Sequence, residues 1–375
     1  MKIAFYAPMK PPDHPVPSGD RTIARGLIQA LIRRGHEVEV MSRLLTRYAW
    51  LRPVTFLKFC LELHLSRRQA ARYRPDLWLT YHTYYKAPDL LGPAVSRRLG
   101  IPYFIVEGSH APRRGKSLLT RPGFLYNRRA LLTAAHVFAN KKADLPELHG
   151  LLPDDRISYI PPGIDTLAFR RMPEEGDHLR MTLGIPPSAV VVCTAAMLRP
   201  GRKAEGVRTV IDALGNLRRH GITAHLLVAG DGPGAPALRR LAAAKMDGAA
   251  HFLGRLSHDQ MAGAYSASDL FAFPGIRESL GMVYLEAQAA GLPVLAYRNG
   301  GVAEAVQDGI TGMITHLYDE EAYTAALERL IRDENFRARL GKAAVRFVEE
   351  RRNIKEAVRA MEEVFSRRLE QRNQP

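Results

Sequence analysis

Short apolar runs alternate along this chain with longer stretches whose apolar residues recur every three or four positions, the pattern of parallel α/β layers. In the first half, strands are predicted at residues 2–6, 37–41, 77–80, 103–107, 136–139 and 157–160. In the second half they are predicted at 190–194, 225–229, 251–253, 270–273 and 294–296, each followed by a helical pattern. A helix over 22–34 joins the first two strands and meets Gly35, a good C-terminal stop. Residues 161–177, with Pro161, Pro162, Gly163, Pro173 and Gly176, are rich in turn formers and read as an interdomain linker. The stretch 353–373 is a charged helix punctuated by Ile354, Val358, Met361, Val364 and Phe365, a spacing that predicts packing along one domain. The expected organisation is therefore an α/β first domain over 1–165, an α/β second domain over 166–352, and a packed terminal helix over 353–375.

A length of 375 residues suits two domains better than one core, and 46% apolar with 25% charged residues is the balance of a soluble globular protein. The N-terminal run reads as a first strand, not a secretion signal, and no apolar run reaches 18 residues, so a cytoplasmic protein is expected. Cys60 and Cys193 show no metal-like spacing and read as reduced thiols. The net charge of +16 points to nucleic acid, an anionic membrane or a phosphate-bearing substrate. No helix-turn-helix, zinc-finger or RNP-like motif accompanies it, so no nucleic-acid partner is expected.

Part of the charge is concentrated in residues 43–74. There Arg43, Arg47, Arg52, Lys58, Arg67, Arg68, Arg72 and Arg74 interleave with Tyr48, Trp50, Phe56, Leu57, Phe59 and Leu61. That is the composition of an interfacial helix on an anionic membrane, and equally of a solvated helix packing its apolar face on its own sheet.

The most informative stretch is 273–295. Glu278 lies in a Gly- and Ser-bearing turn after an apolar strand, and Glu286 lies eight residues on, inside the helix that the turn opens. The first amides of such a helix are unpaired and can hold a phosphate. Glu286 would stand about four residues in, roughly 6 Å along the axis. A ligand with a central diphosphate and hydroxyl-rich rings at both ends, such as a nucleotide-sugar, suits that arrangement.

The landmarks in chain order are Gly35-His36-Glu37-Val38, Glu107-Gly-Ser-His110, Pro161-Pro-Gly-Ile-Asp165, Gly230-Asp-Gly-Pro233, Phe252-Leu-Gly254, the Glu278-x7-Glu286 turn leading to Gly291-Leu-Pro-Val294, and Gly300-Gly301-Val-Ala-Glu304. Together they resemble the family-4 retaining glycosyltransferases of the GT-B fold, from about residue 1 to about 350. That resemblance implies two Rossmann-like doubly wound domains facing a deep cleft. The acceptor would lie in the first and the nucleoside diphosphate sugar in the second, with a C-terminal helix crossing back to the first.

It further implies that Glu286 binds the donor ribose hydroxyls, for which a carboxylate is a good double acceptor. Glu278 would face the transferred sugar, and Ser279, Leu280, Gly281 and Met282 would meet the distal phosphate or sugar. Lys203, with Arg202 or Arg199, would neutralise the leaving diphosphate. His110 would approach the reacting face, Gly19 would let the backbone near the diphosphate, and Arg255 and Leu256 would border the base. Asp20 reads as a cap for the following helix. The usual Gly-Arg-Leu before the lysine is replaced by Ala196-Met197-Leu198, so Arg199 or Arg202 must supply the second cation.

No Asp-x-Asp element is present, so metal-independent hexosyl transfer without a cofactor is expected, to an acceptor sugar or lipid-linked or otherwise anionic acceptor. A peripheral position on the inner membrane face would follow from the basic segment. A nucleotide-sugar epimerase, and a basic membrane- or nucleic-acid-binding scaffold with a degenerate donor site, are the alternative readings.

Overall fold

A computed structural model describes residues 1–16 and 18–373, the side chains of residues 53, 56 and 373 excepted. Phe56, one of the apolar wedges above, and positions 374–375 of the expected terminal segment thus lie outside the described residues. The chain divides into two units: one comprises Met1–Pro162 with the chain from Ile354 onward, the other Gly163–Asn353.

The first unit runs β1 (Lys2–Tyr6), α1 (Gly19–Arg33), β2 (Glu37–Ser42), α2 (Pro53–Tyr73), β3 (Leu77–Thr83), α3 (Gly92–Leu99) and β4 (Tyr103–Gly108). It continues with α4 (Arg121–Thr133), β5 (His136–Ala139), α5 (Leu145–His149) and β6 (Ile157–Tyr159). The second runs α6 (Pro173–Thr182), β7 (Val191–Ala195), α7 (Arg202–Arg219), β8 (His225–Ala229), α8 (Ala235–Met246), β9 (Ala250–Gly254) and α9 (His258–Ser266). Then come β10 (Leu270–Ala272), α10 (Met282–Ala289), β11 (Val294–Tyr297), α11 (Val302–Ala305), β12 (Gly312–Thr315), α12 (Glu320–Arg332) and α13 (Glu334–Arg351). Finally α14 (Ile354–Asn373) rejoins the first unit.

Each unit holds one parallel six-stranded sheet, ordered β2-β1-β3-β4-β5-β6 in the first and β12-β11-β10-β7-β8-β9 in the second. Both orders are doubly wound, because the chain runs outward from the middle of the sheet twice. The order reverses between β1 and β3 in the first unit and between β7 and β10 in the second. In open sheets of this kind ligands collect outside the carboxyl ends of the strands at that reversal.

In the first unit apolar clusters cover both sheet faces. One includes Ile3, Phe5, Leu79, Phe104 and Phe138, and α14 closes it with Val358, Met361 and Phe365. The Phe365 ring meets Phe104 and Phe138 edge-on, with centroids 4.6 and 5.8 Å apart. Burying each such side chain contributes roughly 1.5–3 kcal/mol. Glu362 fixes the register of α14 on α1, taking His36 Nε2 at 2.6 Å and Arg34 Nη2 at 2.6 Å. The second unit has one large core cluster, including Val192, Leu226, Phe271, Leu285, Leu295 and Leu327.

Four expectations are corrected. The stretch 173–177 is no linker: it opens α6, with a proline in the first turn and Glu174 and Glu175 favouring the positive helix end. Gly176 is needed there because a Cβ would lie 2.6 Å from the Ser266 backbone. Helix α1 starts at Gly19, since Ser18 Oγ accepts the Arg21 N–H at 3.3 Å; Ser18, not Asp20, is the cap. Within 43–74 only 53–73 is α-helical, and a strand, β12, follows the last expected one.

Candidate functional site

In the second unit the loop after β7 and the loop after β10 meet at the strand-order reversal. Arg202 and Lys203 open α7, and Glu278 lies in the loop between β10 and α10. Lys203 Nζ forms an ion pair with Glu278 Oε2 and stands 5.3 Å from the centroid of the Phe273 ring. Arg199 and Arg202 are exposed beside it, as is Met197, whose thioether carries no charge to replace a guanidinium. The Met197–Arg199 segment is held in place by backbone bonds to the Gly230–Gly234 loop: Leu198 donates to Asp231 O at 3.0 Å and Gly234 donates to Leu198 O at 2.7 Å.

The Glu278 loop is shaped by two close approaches. Arg277 adopts a left-handed φ of 57°, and Gly281 one of 67°. Gly301 donates its N–H to Glu278 O at 3.0 Å, and a Cβ at Gly301 would lie 2.0 Å from Ser279 O. Ser279 is exposed and Leu280 buried. No side chain caps α10 at Gly281, so Met282 begins a helix whose positive end carries no protein anion of its own cap. Glu286 lies one turn further in, half-buried, and accepts the Tyr265 hydroxyl at 3.1 Å. Burial pushes its carboxyl up to about 7 against the opposing effect of the Tyr265 bond. A carboxylate so placed gains from any ligand that brings hydroxyl donors.

Arg255 is exposed after Gly254. Leu256 lines a groove of about 890 Å³ with Leu167, Met172, Leu179 and Leu253, a groove to which Lys203, Glu278 and Glu286 do not contribute. The structure therefore groups Lys203 with Glu278, with Arg202 beside Lys203 at the start of α7, Arg199 in the loop before it, and Glu286 inside the helix that follows Glu278.

In the first unit Gly19 is the exposed first residue of α1, with open space where a Cβ would point. His110 is buried: its Nδ1 lies 3.0 Å from Glu147 O, its ring stacks on Phe124, and its Nε2 is buried with no hydrogen-bond partner among the described residues. The charged cluster at the β1/β3 reversal is built from other residues. Asp20 Oδ1 meets His82 Nδ1 at 2.6 Å, His82 Nε2 faces Glu107 Oε1 at 3.8 Å, and Lys141 Nζ reaches Glu107 Oε1 at 2.7 Å.

Burial opposes charge on all four groups, and the pairing overrides it. Glu107 is held below the usual carboxylate range by His82 and Lys141, and Asp20 by His82. His82 is raised by Glu107 and Asp20, and Lys141 by Glu107. A carboxylate faces each ring nitrogen of His82, one hydrogen-bonded at Nδ1 and the other 3.8 Å from Nε2, an arrangement that favours its charged form. His82 and Glu107 both have left-handed φ values, 58° and 60°, a backbone cost of about 1–3 kcal/mol each that gathers at functional positions. Sequence reading missed His82, Lys141 and Tyr265. The one available signal was a titratable residue just past a predicted strand, which both His82 and Lys141 satisfy.

Among the described residues, no group of three or more His, Cys, Asp or Glu is arranged to hold a metal ion. No helix among them is long and apolar enough to cross a membrane.

Two doubly wound parallel sheets, each carrying an ion-paired cluster where its strand order reverses, define a two-unit Rossmann-like α/β protein. The family model described as Glycosyltransferase Family 4 matches residues 18–167, and the one described as Glycosyl transferases group 1 matches residues 193–347. The chain belongs to the family-4 glycosyltransferases. It is 31% identical over 263 residues to a GDP-mannose-dependent alpha-(1-6)-phosphatidylinositol monomannoside mannosyltransferase of Mycolicibacterium smegmatis, covering 68% of this chain and 67% of that one. It is 30% identical over 299 residues to a D-inositol 3-phosphate glycosyltransferase of Rhodococcus erythropolis, covering 75% of this chain but 66% of the relative. The chain thus spans about two thirds of the length of the curated relatives it matches.

Solved structures share the fold over nearly the whole chain. Sucrose-phosphate synthase from Thermosynechococcus elongatus aligns with a TM-score of 0.74 at 19% identity, covering 98% of both chains. Anabaena Alr3699/HepE in complex with UDP-glucose aligns with a TM-score of 0.73 at 20% identity, covering 98% of this chain and 99% of that one. These likenesses bear out the two Rossmann-like domains of the GT-B class.

Proposed function

We propose that this protein transfers a hexose from a nucleoside diphosphate sugar to a hydroxyl of a phosphorylated or lipid-linked acceptor, with retention and without a divalent metal. The observation that carries the reading is the Lys203–Glu278 pair in front of the uncapped start of α10, with Glu286 one turn inside. The donor diphosphate would take the helix amides and Lys203, while Glu286 would take the ribose diol. Lys203 would then exchange its carboxylate for a phosphate and leave Glu278 free for the sugar hydroxyls.

In the step itself the sugar C1–O bond to the diphosphate breaks and an acceptor oxygen bonds to C1 from the same face. The acceptor proton leaves on the departing phosphate oxygen. Fixed cations and amides stabilise the charge that develops there, the role a metal plays elsewhere. Arg199 and Arg202 stand where the second cation would come from. The relatives' inositol phosphate and phosphatidylinositol substrates, together with the charge of +16, support an anionic acceptor and a place on an anionic membrane surface through residues 43–74.

A calorimetric titration of the protein with UDP, GDP and their sugars tests the donor site, and one of them is expected to bind. Release of nucleoside diphosphate with an inositol phosphate acceptor, in excess chelator, with proton NMR of the product anomer, tests the rest. Binding of no nucleotide, loss of turnover that magnesium restores, or an inverted anomer would each overturn its part of the proposal.

A further inference from the structure

Helix α2 has two apolar faces. Phe59, Leu63 and Ala70 pack on the sheet, and Ser66 Oγ bonds Met41 O at 3.2 Å. That accounts for one face and leaves the other. Val54, Leu57, Leu61 and Leu65 recur at three- and four-residue spacing along the outward side and are 45–71% exposed. A second exposed pair, Leu118 and Leu119, lies before α4, with Leu118 85% exposed. Trp50 ties the two together: it precedes α2, its Nε1 donates to Leu119 O at 3.0 Å, and its ring fills the space beside Gly123 of α4.

Charge around this ridge is one-sided. Residues 111–129 contain six cations and no acid, among them Arg113, Arg114, Lys116 and Arg121. On α2 the outward stripe continues past Leu65 into Arg68 and Arg72, with Arg67 exposed to one side of it. The one acid of that helix, Glu62, is taken by Ser42 Oγ at 2.5 Å. Exposed leucines bordered by arginines fit acyl chains bordered by anionic headgroups. A nucleic-acid strand would leave the leucines in water.

We propose that the first unit docks on an anionic lipid bilayer by inserting Val54, Leu57, Leu61, Leu65, Leu118 and Leu119, with the neighbouring cations on the headgroups. The use of such docking rests on the proposed transfer to a lipid-linked acceptor; the docking itself is independent of it.

The test is sedimentation of the full chain with vesicles of phosphatidylglycerol and phosphatidylcholine, against phosphatidylcholine alone. Wild type is expected to sediment with the anionic vesicles and to be released by salt. Combining Leu57→Ser, Leu61→Ser, Leu118→Ser and Leu119→Ser is expected to weaken partitioning about tenfold or more, with Tm and nucleotide binding unchanged. A readout on wild type avoids any folding defect of that variant. Of the two tryptophans, Trp78 is fully buried and Trp50 half-buried, so brominated acyl chains should quench Trp50. Failure to sediment, sedimentation untouched by the serines, or absent quenching would overturn the proposal. So would a light-scattering dimer that the serines dissolve without any vesicle binding, since the ridge would then join two copies. Intact nucleotide binding beside failed docking removes only the lipid surface; lost nucleotide binding beside intact docking removes only the transferase reading.

Discussion

Lys203 and Glu278, 75 positions apart, pair across the point where the strand order of the second unit reverses. One follows β7 and the other β10, strands that adjoin only in the sheet. Asp20 and His82 repeat the relationship across β1 and β3 of the first unit. Doubly wound topology creates one such meeting point per sheet, and in both sheets it pairs a basic side chain with a carboxylate.

Replacing Lys203 by Met should remove a cation that the leaving diphosphate needs and leave Glu278 without its partner. We expect kcat/KM to fall by about 10²–10³-fold. Steady-state kinetics check this, and a Lys203→Met protein with unaltered kcat/KM would exclude Lys203 from charge stabilisation.

Glu286 should make donor affinity rise with pH. Its carboxyl is pushed up to about 7 in the ligand-free protein, and only the ionised form accepts two hydroxyl donors. Nucleotide titrations between pH 5.5 and 8.5 should show tighter binding through pH 7 in wild type and a flat, weaker profile in Glu286→Gln. The stability effect has the opposite sense. A folded pKa above the unfolded value of 4.5 means stability is lost as pH rises from 4.5 through 7. Glu286→Gln should therefore raise the ligand-free unfolding free energy at pH 8.5, by no more than about 3 kcal/mol, read by urea denaturation.

Gly301→Ala should damage the site without touching a charged group. A methyl 2.0 Å from Ser279 O must push away the backbone that carries Glu278 and the entry to α10. A cost of about 1–3 kcal/mol in stability is expected, with donor affinity falling alongside. Urea denaturation and calorimetry on one preparation check both.

His225 and His251 stack with ring centroids 5.4 Å apart, and Nδ1 of the first lies 3.1 Å from Nε2 of the second. Burial lowers the pKa of both, and for His225 the neighbouring His251 adds to it. Folded values below the ordinary 6.5 mean that their contribution is present above pH 6.5 and is lost as pH falls below it. His251→Gln should shrink the drop in Tm between pH 7 and pH 5, read by circular dichroism.

His82 behaves in the reverse direction. Its folded value is raised by Glu107 and Asp20, so its contribution is present below pH 6.5 and fades as pH rises through the higher folded value. His82→Asn should cost stability at pH 6 and cost less at pH 9, measured by urea denaturation at both.

Hydrophobic period alone set the strands, because a fully buried parallel strand must be a short apolar run; eleven of the twelve lie where such runs fall, and β12 did not stand out. The Glu278-to-Glu286 spacing likewise placed one acid in a loop and the other inside α10, since helix geometry converts sequence distance into position. Of the two readings composition left open for 43–74, the fold shows the packed face of α2 and leaves Val54, Leu57, Leu61 and Leu65 exposed on the other side. Tertiary structure alone decided the partners: that Lys203 reaches Glu278, that Tyr265 from α9 reaches Glu286, and that His82 and Lys141 close on Glu107. Such pairs depend on which strands lie side by side, and strand order is a property of the packed sheet that no local run of residues carries.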